Sequence, residues 1–408
     1  PGQVSGWGAL HQRFGRLPFA ELMAPAVALA REGFVVGPIT AAAWARAARV
    51  FDDAPSWRAT FLVDGAPPTA GDRFVAPGHA TTLQALADDG PGAFYGGLAE
   101  QIVAFSEQTG GFFALEDFTA HRARFVTPLA VDFAGWRVFG MTAPTQGVCA
   151  LEAIGLLQGP DAGRPIDVHR AIEAIKLAFA DTTATIGDPE ALRMRPEMLL
   201  EATYLAARRS ELTERAGPSP APPGIDGGTV LLCTADDEGT VASVIQSNFH
   251  GFGSGLVVPD LGIALQNRGA GFTFEPGHPN AIGAGKQPFH TILPGLVLTP
   301  RGASPFGCMG GQMQPQGHVQ LVTALARGTA PQAAVDAPRW RWLEDGRVAL
   351  ERGFPVDVAD DLAARGHQLQ RDVDPIHFGG AQILWRDDNG LVGGSDPRKD
   401  GGVAQTAP

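Results

Sequence analysis

The chain has 408 residues, of which 44% are apolar and only 18% are charged, and its formal net charge is -12. At about 150 residues per domain, this length predicts one large unit or two medium ones with a substantial core. The acidic balance excludes proteins whose main partner is nucleic acid, because a phosphate backbone binds basic surfaces. No apolar run approaches the ~18 residues that a membrane span needs, so we expect no span.

The cysteines and the chain start limit what can be said about the compartment. Cys149, Cys233 and Cys308 are too few and too scattered for a disulfide framework. The chain starts with Pro1 instead of Met and shows no signal peptide pattern, so we expect that an upstream segment precedes it. The compartment therefore stays open: the cytoplasm is slightly favoured, and the periplasm or secretion is the alternative.

The first part of the chain, up to about residue 215, is predicted to be mostly helical. Asp167 is a good N-cap for a helix whose apolar residues recur at i, i+4, i+7 and i+11 on one face. Those residues are Val168, Ile172, Ile175 and Phe179. Further helices are predicted over 19–34, 93–108 and 190–214, and a strand over 129–139.

A segment rich in proline and glycine, residues 215–228, can form neither a helix nor a central strand and is predicted to be a mobile linker. The β-branched and apolar segments 229–234 and 240–245 flank a short turn, which predicts a hairpin. Short strands and glycine turns dominate the rest, interrupted by helices at about 317–327 and 356–365. A helix-rich part and a strand-rich part are thus expected to meet at the linker.

Common motifs for nucleotides, catalytic serines and zinc are absent from the sequence. There is no P-loop, dinucleotide fingerprint, G-x-S-x-G, H-E-x-x-H or C-x-x-C pattern. His290, His318 and His377 could each serve as a base, although a lone histidine is more often structural. The sequence therefore predicts no metal and no organic cofactor.

Gly227, Gly228 and Thr229 stand where the linker meets the first strand of the hairpin. If the Gly228–Thr229 bond is cut, Thr229 gains an α-amine with an ordinary pKa of roughly 7.7–8.0. This amine can take the proton of the hydroxyl on the same residue, so no separate histidine is needed. Gly228 has no Cβ to obstruct attack on its carbonyl and tolerates strained backbone. The alternative is an ordinary loop that enters a strand.

Six short blocks spread along the chain point to one family. They are 1–7 (PGQVSGW), 13–19 (RFGRLPF), 21–33 (ELMAPAVALAREG), 178–181 (AFAD), 187–189 (GDP) and 395–398 (SDPR). Each block is modest alone, but their order and spacing together are specific. On these blocks the chain resembles the γ-glutamyltransferase (glutathione hydrolase) family over essentially its whole length.

The resemblance implies an α+β fold, the four-layer αββα sandwich of N-terminal-nucleophile hydrolases. It implies a precursor that cuts itself between Gly228 and Thr229. The products would be a large-subunit portion, 1–228, and a small subunit, 229–408, which stay together as one compact fold. A homodimer of such pairs is one arrangement that it allows. The partner is a small-molecule amide, and no cofactor is implied.

The resemblance makes Thr229 the nucleophile. In family members a second hydroxyl residue contacts the nucleophile from the next strand, and counting without gaps puts Ser247 there, where Thr is usual. The family's nearby asparagine falls on Phe249, one place after Asn248. Two adjacent backbone amides form the family's oxyanion hole, and Gly310–Gly311 matches them.

The residues that would recognise a γ-glutamyl group depart from the family pattern. In the family, an acidic or amide residue and an aspartate hold the α-ammonium; in the stretch that contains Asn267, these positions fall on Arg268 and Gly271. Two adjacent serines usually bind the α-carboxylate, and His290 and Thr291 stand there. A guanidinium repels an ammonium and pairs with a carboxylate. The predicted substrate-binding residues are Asn267, Arg268, His290 and Thr291, with a structural ion pair as the alternative for Arg268.

Three functions are compatible with these residues. The first is a self-processing amidohydrolase or acyltransferase, in which Thr229 attacks a γ-glutamyl, glutathione-like amide and passes the acyl group to water or an amine. The second is a deacylase of a dicarboxylic monoamide, similar to the glutaryl-cephalosporin acylases and oxamate amidohydrolase of the divergent branch of the family. The third is an inactive scaffold, which the intact Gly228–Thr229 and Gly310–Gly311 pairs argue against. The acyl substrate and the choice between hydrolysis and transfer stay open.

Overall fold

The computed structural model of the protein combines helices and strands over residues 2–159, 162, 167–218, 228–388 and 390–405, which it describes. The helices are α1 (Gly2–Phe14), α2 (Phe19–Glu32), α3 (Pro38–Val50), α4 (Pro55–Phe61), α5 (Pro77–Asp89), α6 (Gly97–Gln108), α7 (Leu115–Thr119), α8 (Gly147–Leu157), α9 (Val168–Thr185), α10 (Ala202–Arg209), α11 (Met313–Ala326), α12 (Pro331–Asp336) and α13 (Val356–Ala364). The strands are β1 (Phe34–Val35), β2 (Arg73–Phe74), β3 (Leu129–Phe133), β4 (Trp136–Gly140), β5 (Thr229–Ala235), β6 (Val241–Ser247), β7 (Val257–Val258), β8 (Ile263–Ala264), β9 (Gly295–Thr299), β10 (Gly302–Met309), β11 (Trp340–Trp342), β12 (Val348–Glu351), β13 (Leu369–Val373), β14 (Gly380–Asp387) and β15 (Gly390–Ser395).

The chain divides into two compact units, each made of two stretches. The first unit comprises Pro1–Val126 and Phe252–Gln266. The second unit comprises Thr127–Gly251 and Asn267–Pro408. Each unit therefore draws residues from both sides of position 228, and the two units do not coincide with the two predicted subunits, whose boundary stays a prediction.

The first unit is mainly helical, with two short antiparallel strand pairs, β1–β2 and β7–β8. One of its apolar clusters contains Leu86, Ile102 and Leu261. A second cluster is aromatic: the ring of Phe252 packs edge-on against the buried Trp57, with ring centroids 5.2 Å apart. Apolar burial of this kind is the main favourable contribution to folding, and it explains why the segment 252–266 belongs to this unit.

The second unit is built on a six-stranded sheet with the strand order β15-β14-β10-β9-β4-β3, in which all neighbours are antiparallel. Helix α8 packs against β3 and β4, and α11 packs against β10. The apolar side chains between these layers, such as Leu151, Val297 and Val319, are almost fully buried. A smaller sheet, β11-β12-β13, belongs to the same unit. This layered core supports the hairpin that carries the predicted nucleophile.

Strands β5 and β6 form that hairpin, and their antiparallel register places Thr229 opposite Ser247. The hairpin packs against β10 and β14. A side chain at Gly307 of β10 would lie 2.9 Å from Leu231 of the hairpin, whereas Cys308 faces Gly317 of α11. Because successive residues of a strand face opposite sides of a sheet, the hairpin and α11 lie on opposite faces at this point.

The mixture of helices and sheet agrees with the predicted α+β class. The arrangement of these elements as a four-layer αββα sandwich stays a prediction. None of the helices in the described ranges combines the length and the hydrophobicity needed to cross a membrane.

Several predicted elements are confirmed. Helix α9 begins after Asp167, whose side chain accepts the backbone N–H of His169 at 2.9 Å. Its apolar face is buried as expected, with Ile172 and Ile175 fully inaccessible. The hairpin at 229–247 forms with the predicted turn. The helices expected at about 317–327 and 356–365 correspond to α11 and α13, although α11 begins earlier, at Met313.

Three expectations need correction or lie outside the described residues. The single strand predicted over 129–139 is wrong: two strands, β3 and β4, form a hairpin, because Ala134 and Gly135 adopt left-handed conformations with φ of 51° and 81°. The helix predicted over 190–214 reduces to a 3-10 turn and the short α10. Most of the predicted linker, residues 219–227, lies outside the described residues.

Candidate active site

Three polar groups meet where the hairpin begins. The Thr229 hydroxyl donates to Ser247 Oγ at 3.1 Å, and the Ser247 hydroxyl donates to the carbonyl oxygen of Gly228 at 2.9 Å. A carbonyl oxygen only accepts, so the single proton of Ser247 is committed to Gly228 and its lone pairs face Thr229. The geometry therefore links the predicted nucleophile to the peptide carbonyl directly before it.

The backbone of Phe249 completes this arrangement. Its N–H donates to Ser247 Oγ at 2.9 Å, and its carbonyl accepts the N–H of Gly228 at 3.1 Å. With φ of 78°, Phe249 adopts a left-handed conformation that non-glycine residues rarely take, at a cost of about 1–3 kcal/mol. In the sequence, Phe249 stands where the family has an asparagine, and no sequence pattern indicates the contribution of its backbone.

Gly228 is closely surrounded. A Cβ at this position would lie 2.6 Å from the carbonyl oxygen of Gly251 and 2.7 Å from its Cα. Contacts of that length with backbone atoms require the backbone to move, so only glycine fits without rearrangement. The predicted cleavage site is thus a tightly packed glycine whose carbonyl oxygen accepts the Ser247 hydroxyl.

Arg268 lies beside this group on a short 3-10 helix, Arg268–Gly271, and is 5% exposed. Its guanidinium lies over the ring of Phe249, 5.1 Å from the centroid, and donates a long hydrogen bond to the carbonyl of Ser247 at 3.4 Å. Burial lowers the pKa of Arg268 to about 10, which leaves it charged at neutral pH. A positive charge therefore lies beside Ser247, the hydrogen-bond partner of the predicted nucleophile.

His290 is held as a neutral imidazole. Its Nδ1–H donates to the carbonyl of Pro288 at 2.6 Å. Burial, together with the charge of Arg268, lowers the pKa of His290 to about 4. At neutral pH it therefore offers an uncharged ring near Arg268 and adds no second positive charge for a carboxylate. A role for His290 in substrate binding stays a prediction.

The other predicted substrate residues have structural contacts of their own. Asn267 Oδ1 accepts the N–H of His250 at 3.0 Å, and the Asn267 N–H donates to the carbonyl of Asn248 at 3.2 Å. Asn267 therefore braces the turn that follows β6. Thr291 is 1% exposed and contributes its backbone carbonyl to a buried hydrogen bond with Gln146. Substrate contacts of Asn267 and Thr291 stay predictions.

Gly310 and Gly311 follow β10 and lead into α11. Both have positive φ, 125° and 57°, and their carbonyls accept the N–H groups of Met313 and Gln314 at the start of the helix. The hydrogen bonds described above do not join either glycine to Thr229, so their role as an oxyanion hole stays a prediction. The side chain of Gln146, which no sequence pattern marks as functional, donates to the carbonyl of Gly311 at 3.0 Å.

Over the described ranges, one group of side chains has metal-ligand atoms close together: His169, Glu173 and His367. His169 Nδ1 and His367 Nε2 lie 2.8 Å apart, and Glu173 accepts the Lys176 ammonium at 2.7 Å and the Gly217 N–H at 3.0 Å. These hydrogen bonds already occupy the ligand atoms, and Lys176 already balances the carboxylate charge. A divalent cation would add buried positive charge beside Lys176, so the cluster suits a clasp between α9 and the segment around Gly217 better than a metal site.

Comparison with known proteins extends over the whole chain. The family described as gamma-glutamyltranspeptidase matches residues 1–406. The chain is 37% identical to the oxamate amidohydrolase proenzyme of Klebsiella pneumoniae, covering 99% of this chain and 80% of that protein. It is 32% identical to the glutathione hydrolase-like YwrD proenzyme of Bacillus subtilis, covering 98% and 79%. Its structure matches a cephalosporin acylase from Bacillus halodurans with a TM-score of 0.92 and 40% identity, covering 100% of this chain and 78% of that one.

These matches confirm the resemblance inferred from the six sequence blocks. The relatives are named as proenzymes, amidohydrolases and acylases, which agrees with the coarse expectation of a self-processing hydrolase. The chain belongs to the gamma-glutamyltranspeptidase family.

Proposed function

We propose that the chain is a self-processing amidohydrolase or acyltransferase whose nucleophile is Thr229. The observation that carries this proposal is the hydrogen-bond chain from the Thr229 hydroxyl through Ser247 to the Gly228 carbonyl. A scaffold without activity would not need a hydroxyl nucleophile, a hydrogen-bonded carbonyl and a position that admits only glycine at one peptide bond.

In the first reaction, Thr229 Oγ attacks the carbonyl carbon of Gly228. The Thr229 proton moves toward Ser247 Oγ while the Ser247 proton moves to the carbonyl oxygen. Collapse of this adduct breaks the Gly228–Thr229 C–N bond, the amine of Thr229 leaves with a proton, and an ester joins Gly228 to Thr229 Oγ. Water then hydrolyses the ester. The products are the large-subunit portion, 1–228, and the small subunit, 229–408.

In the second reaction, Thr229 attacks the amide carbonyl of a small-molecule substrate. Its free α-amine, with an ordinary pKa of roughly 7.7–8.0, accepts the hydroxyl proton and passes it to the leaving amine. The N–H groups of Gly310 and Gly311 stabilise the oxyanion. Water or an amine then takes the acyl group from the Thr229 ester. None of these steps uses a metal or an organic cofactor.

The finer architecture belongs to the same proposal. A four-layer αββα sandwich would hold Thr229 between the sheets after cleavage, and the two subunits would stay together as one fold. A homodimer of processed pairs is one assembly that the family resemblance allows. Either a γ-glutamyl amide or another acidic acyl group fits the reaction described above.

A second candidate is a deacylase of a dicarboxylic monoamide, glutaryl- or oxamate-like. The buried charge of Arg268 near Ser247 favours it, because a guanidinium attracts an acyl carboxylate and repels the α-ammonium of a γ-glutamyl group. The names of two relatives, an oxamate amidohydrolase and a cephalosporin acylase, point the same way.

The first test is the intact mass of the purified protein beside the Thr229→Ala and Thr229→Ser variants. We expect the wild type to split into two fragments, the smaller starting at Thr229. The Ala variant should stay whole, since it has no hydroxyl, and the Ser variant should still cleave. A wild-type chain that stays whole and releases no amine from γ-glutamyl or glutaryl p-nitroanilide would contradict the proposal.

A further inference from the structure

Gln146 lies on the short connection between β4 and α8, and its side chain is completely buried. Its amide Nε2 donates to two backbone carbonyls, those of Thr291 and of Gly311. Because both partners are carbonyl oxygens, the contacting atom must be the amide nitrogen, and both of its hydrogens are used. One side chain therefore joins the predicted oxyanion hole to the predicted substrate-binding segment.

We propose that Gln146 is a positioning residue for acyl transfer: it fixes the Gly311 carbonyl, and with it the conformation of Gly311, so that the Gly311 N–H of the predicted oxyanion hole keeps a constant direction. This inference rests on the proposed function, since it concerns the same oxyanion hole. Gln146 itself touches no reacting atom in this account.

The need for such support follows from the backbone. Glycine loses more conformational freedom on ordering than any other residue, and two adjacent glycines need outside contacts to hold one conformation. The carbonyl of Gly310 is held by the Met313 N–H at 2.9 Å. In a trans peptide the N–H points opposite to the carbonyl, so this bond aims the Gly311 N–H away from α11.

The peptide between Gly311 and Gln312 also needs contacts that hold its carbonyl. The carbonyl of Gly311 accepts the Gln314 N–H at 3.2 Å, a long bond for this donor, and the Gln146 amide at 3.0 Å. With both flanking carbonyls held, the φ and ψ angles of Gly311 have little freedom. Gln146 thus gives the Gly311 carbonyl a second and shorter hydrogen bond beside the long one from the first turn of α11.

The other hydrogen of the Gln146 amide, and its backbone, hold the substrate-binding segment. The amide donates to the carbonyl of Thr291, and the backbone N–H of Gln146 donates to the carbonyl of His290 at 3.1 Å. The N–H of His290 in turn donates to the carbonyl of Pro144 at 2.8 Å. A change at Gln146 therefore alters the oxyanion hole and the His290–Thr291 segment together.

The test uses Gln146→Leu, which keeps the size of the side chain and removes its hydrogen bonds. We expect kcat on glutaryl or γ-glutamyl p-nitroanilide to fall about 10- to 100-fold, with active sites counted by the acylation burst. Direct removal of an oxyanion donor can cost more, up to about 1000-fold in kcat. KM should rise by less than kcat falls, since the backbone N–H of Gln146 still holds the carbonyl of His290 in the variant. Amide hydrogen exchange at residues 310–312 should become faster in the variant.

The matched control is Gln320→Leu. Gln320 also bridges two backbone carbonyls through its amide nitrogen, those of Gln316 and Trp340, but it lies further along α11. It should change stability without changing kcat or the exchange at 310–312. If Gln146→Leu does not fold, Gln146→Asn replaces it, because the shorter amide cannot reach both carbonyls.

The outcomes separate the two proposals. An active wild type with an unchanged kcat and unchanged exchange in Gln146→Leu would overturn the positioning role while leaving the proposed function intact. Equal losses in the Gln146 and Gln320 variants would also overturn it. A wild type that neither cleaves itself nor turns over either anilide would overturn the proposed function, and the positioning role with it.

Discussion

Two buried arginines in the second unit differ in what surrounds the guanidinium. Arg398 donates to both carboxylate oxygens of Glu351 at 2.7 Å and to Asp396 at 3.0 Å. Burial alone would lower the pKa of Arg398, but these carboxylates raise it above its ordinary value. Arg268 contacts a backbone carbonyl and the face of Phe249, and burial lowers its pKa to about 10.

These surroundings agree with the proposal that Arg398 stabilises the fold and that Arg268 binds substrate. Around Asp396, charges of opposite sign are fixed to one another by Arg339 and Arg398, so the cluster is complete within the chain. Arg268 lies beside Ser247 with its guanidinium over the ring of Phe249, and in the proposed deacylase its positive charge would attract an acyl carboxylate. The predictions below test this distinction between a structural and a substrate-directed charge.

The largest effect is expected for Asp396→Asn. This change leaves two buried arginines with one carboxylate fewer, and removing one partner of a buried ion pair costs about 3–5 kcal/mol. The free energy of unfolding, measured by urea titration, should fall by that amount, while kcat of the folded protein stays within about twofold. Asp388→Asn is the control, since its pair with Arg301 is exposed and its loss should change the free energy of unfolding far less. A large loss of kcat in Asp396→Asn at unchanged stability would contradict the structural role of Asp396.

A smaller and more selective effect is expected for Arg268→Met. A hydrogen bond to a charged group contributes about 1.5–3 kcal/mol, so kcat/KM on glutaryl p-nitroanilide should fall about 10- to 100-fold. The γ-glutamyl anilide, whose ammonium the guanidinium repels, should lose less than about threefold. Arg301→Met on the surface should change neither. Equal losses on both anilides would show that Arg268 does not select the acyl group.

The smallest effect concerns pH and His290. Because burial and Arg268 lower the pKa of His290 to about 4, the unfolded chain binds a proton near pH 6.5 that the folded chain does not. The free energy of unfolding should therefore fall as the pH drops from about 6.5 toward 4. His290→Asn keeps a donor for the Pro288 carbonyl and removes the titration. Between about pH 7.5 and pH 6 it should lose about 1 kcal/mol less stability than the wild type. Identical pH profiles would show that His290 is not held neutral.

The parts of this arrangement that could be predicted are those whose contacting residues lie close together in the sequence. The hairpin was predictable because two β-branched segments around a short turn fix an antiparallel register locally. The family resemblance, counted without gaps, placed Ser247 on the next strand beside Thr229, and the antiparallel register pairs these two residues. The capped helix after Asp167 was predictable for the same reason, since its cap and its apolar face are local patterns.

What the sequence did not reveal depends on distant partners. Gln146 contacts carbonyls 145 and 165 residues further along the chain, and a lone polar residue in a loop has no periodicity to mark it. The hydrogen bond between the rings of His169 and His367 joins residues 198 positions apart. The missed turn at 134–135 had a different cause: the run of apolar residues on both sides hid an Ala-Gly pair that could turn.

The left-handed backbone of Phe249 has a consequence for how the substrate range of this chain could be changed. Asparagine, which the family resemblance places at this position, is among the residue types that accept such a conformation most readily. The feature shared at position 249 would then be a left-handed backbone conformation and not a particular side chain. Phe249 keeps that shape while its ring covers Arg268. A library aimed at new acyl groups would therefore favour Gly, Asn and Asp at this position and would avoid β-branched residues.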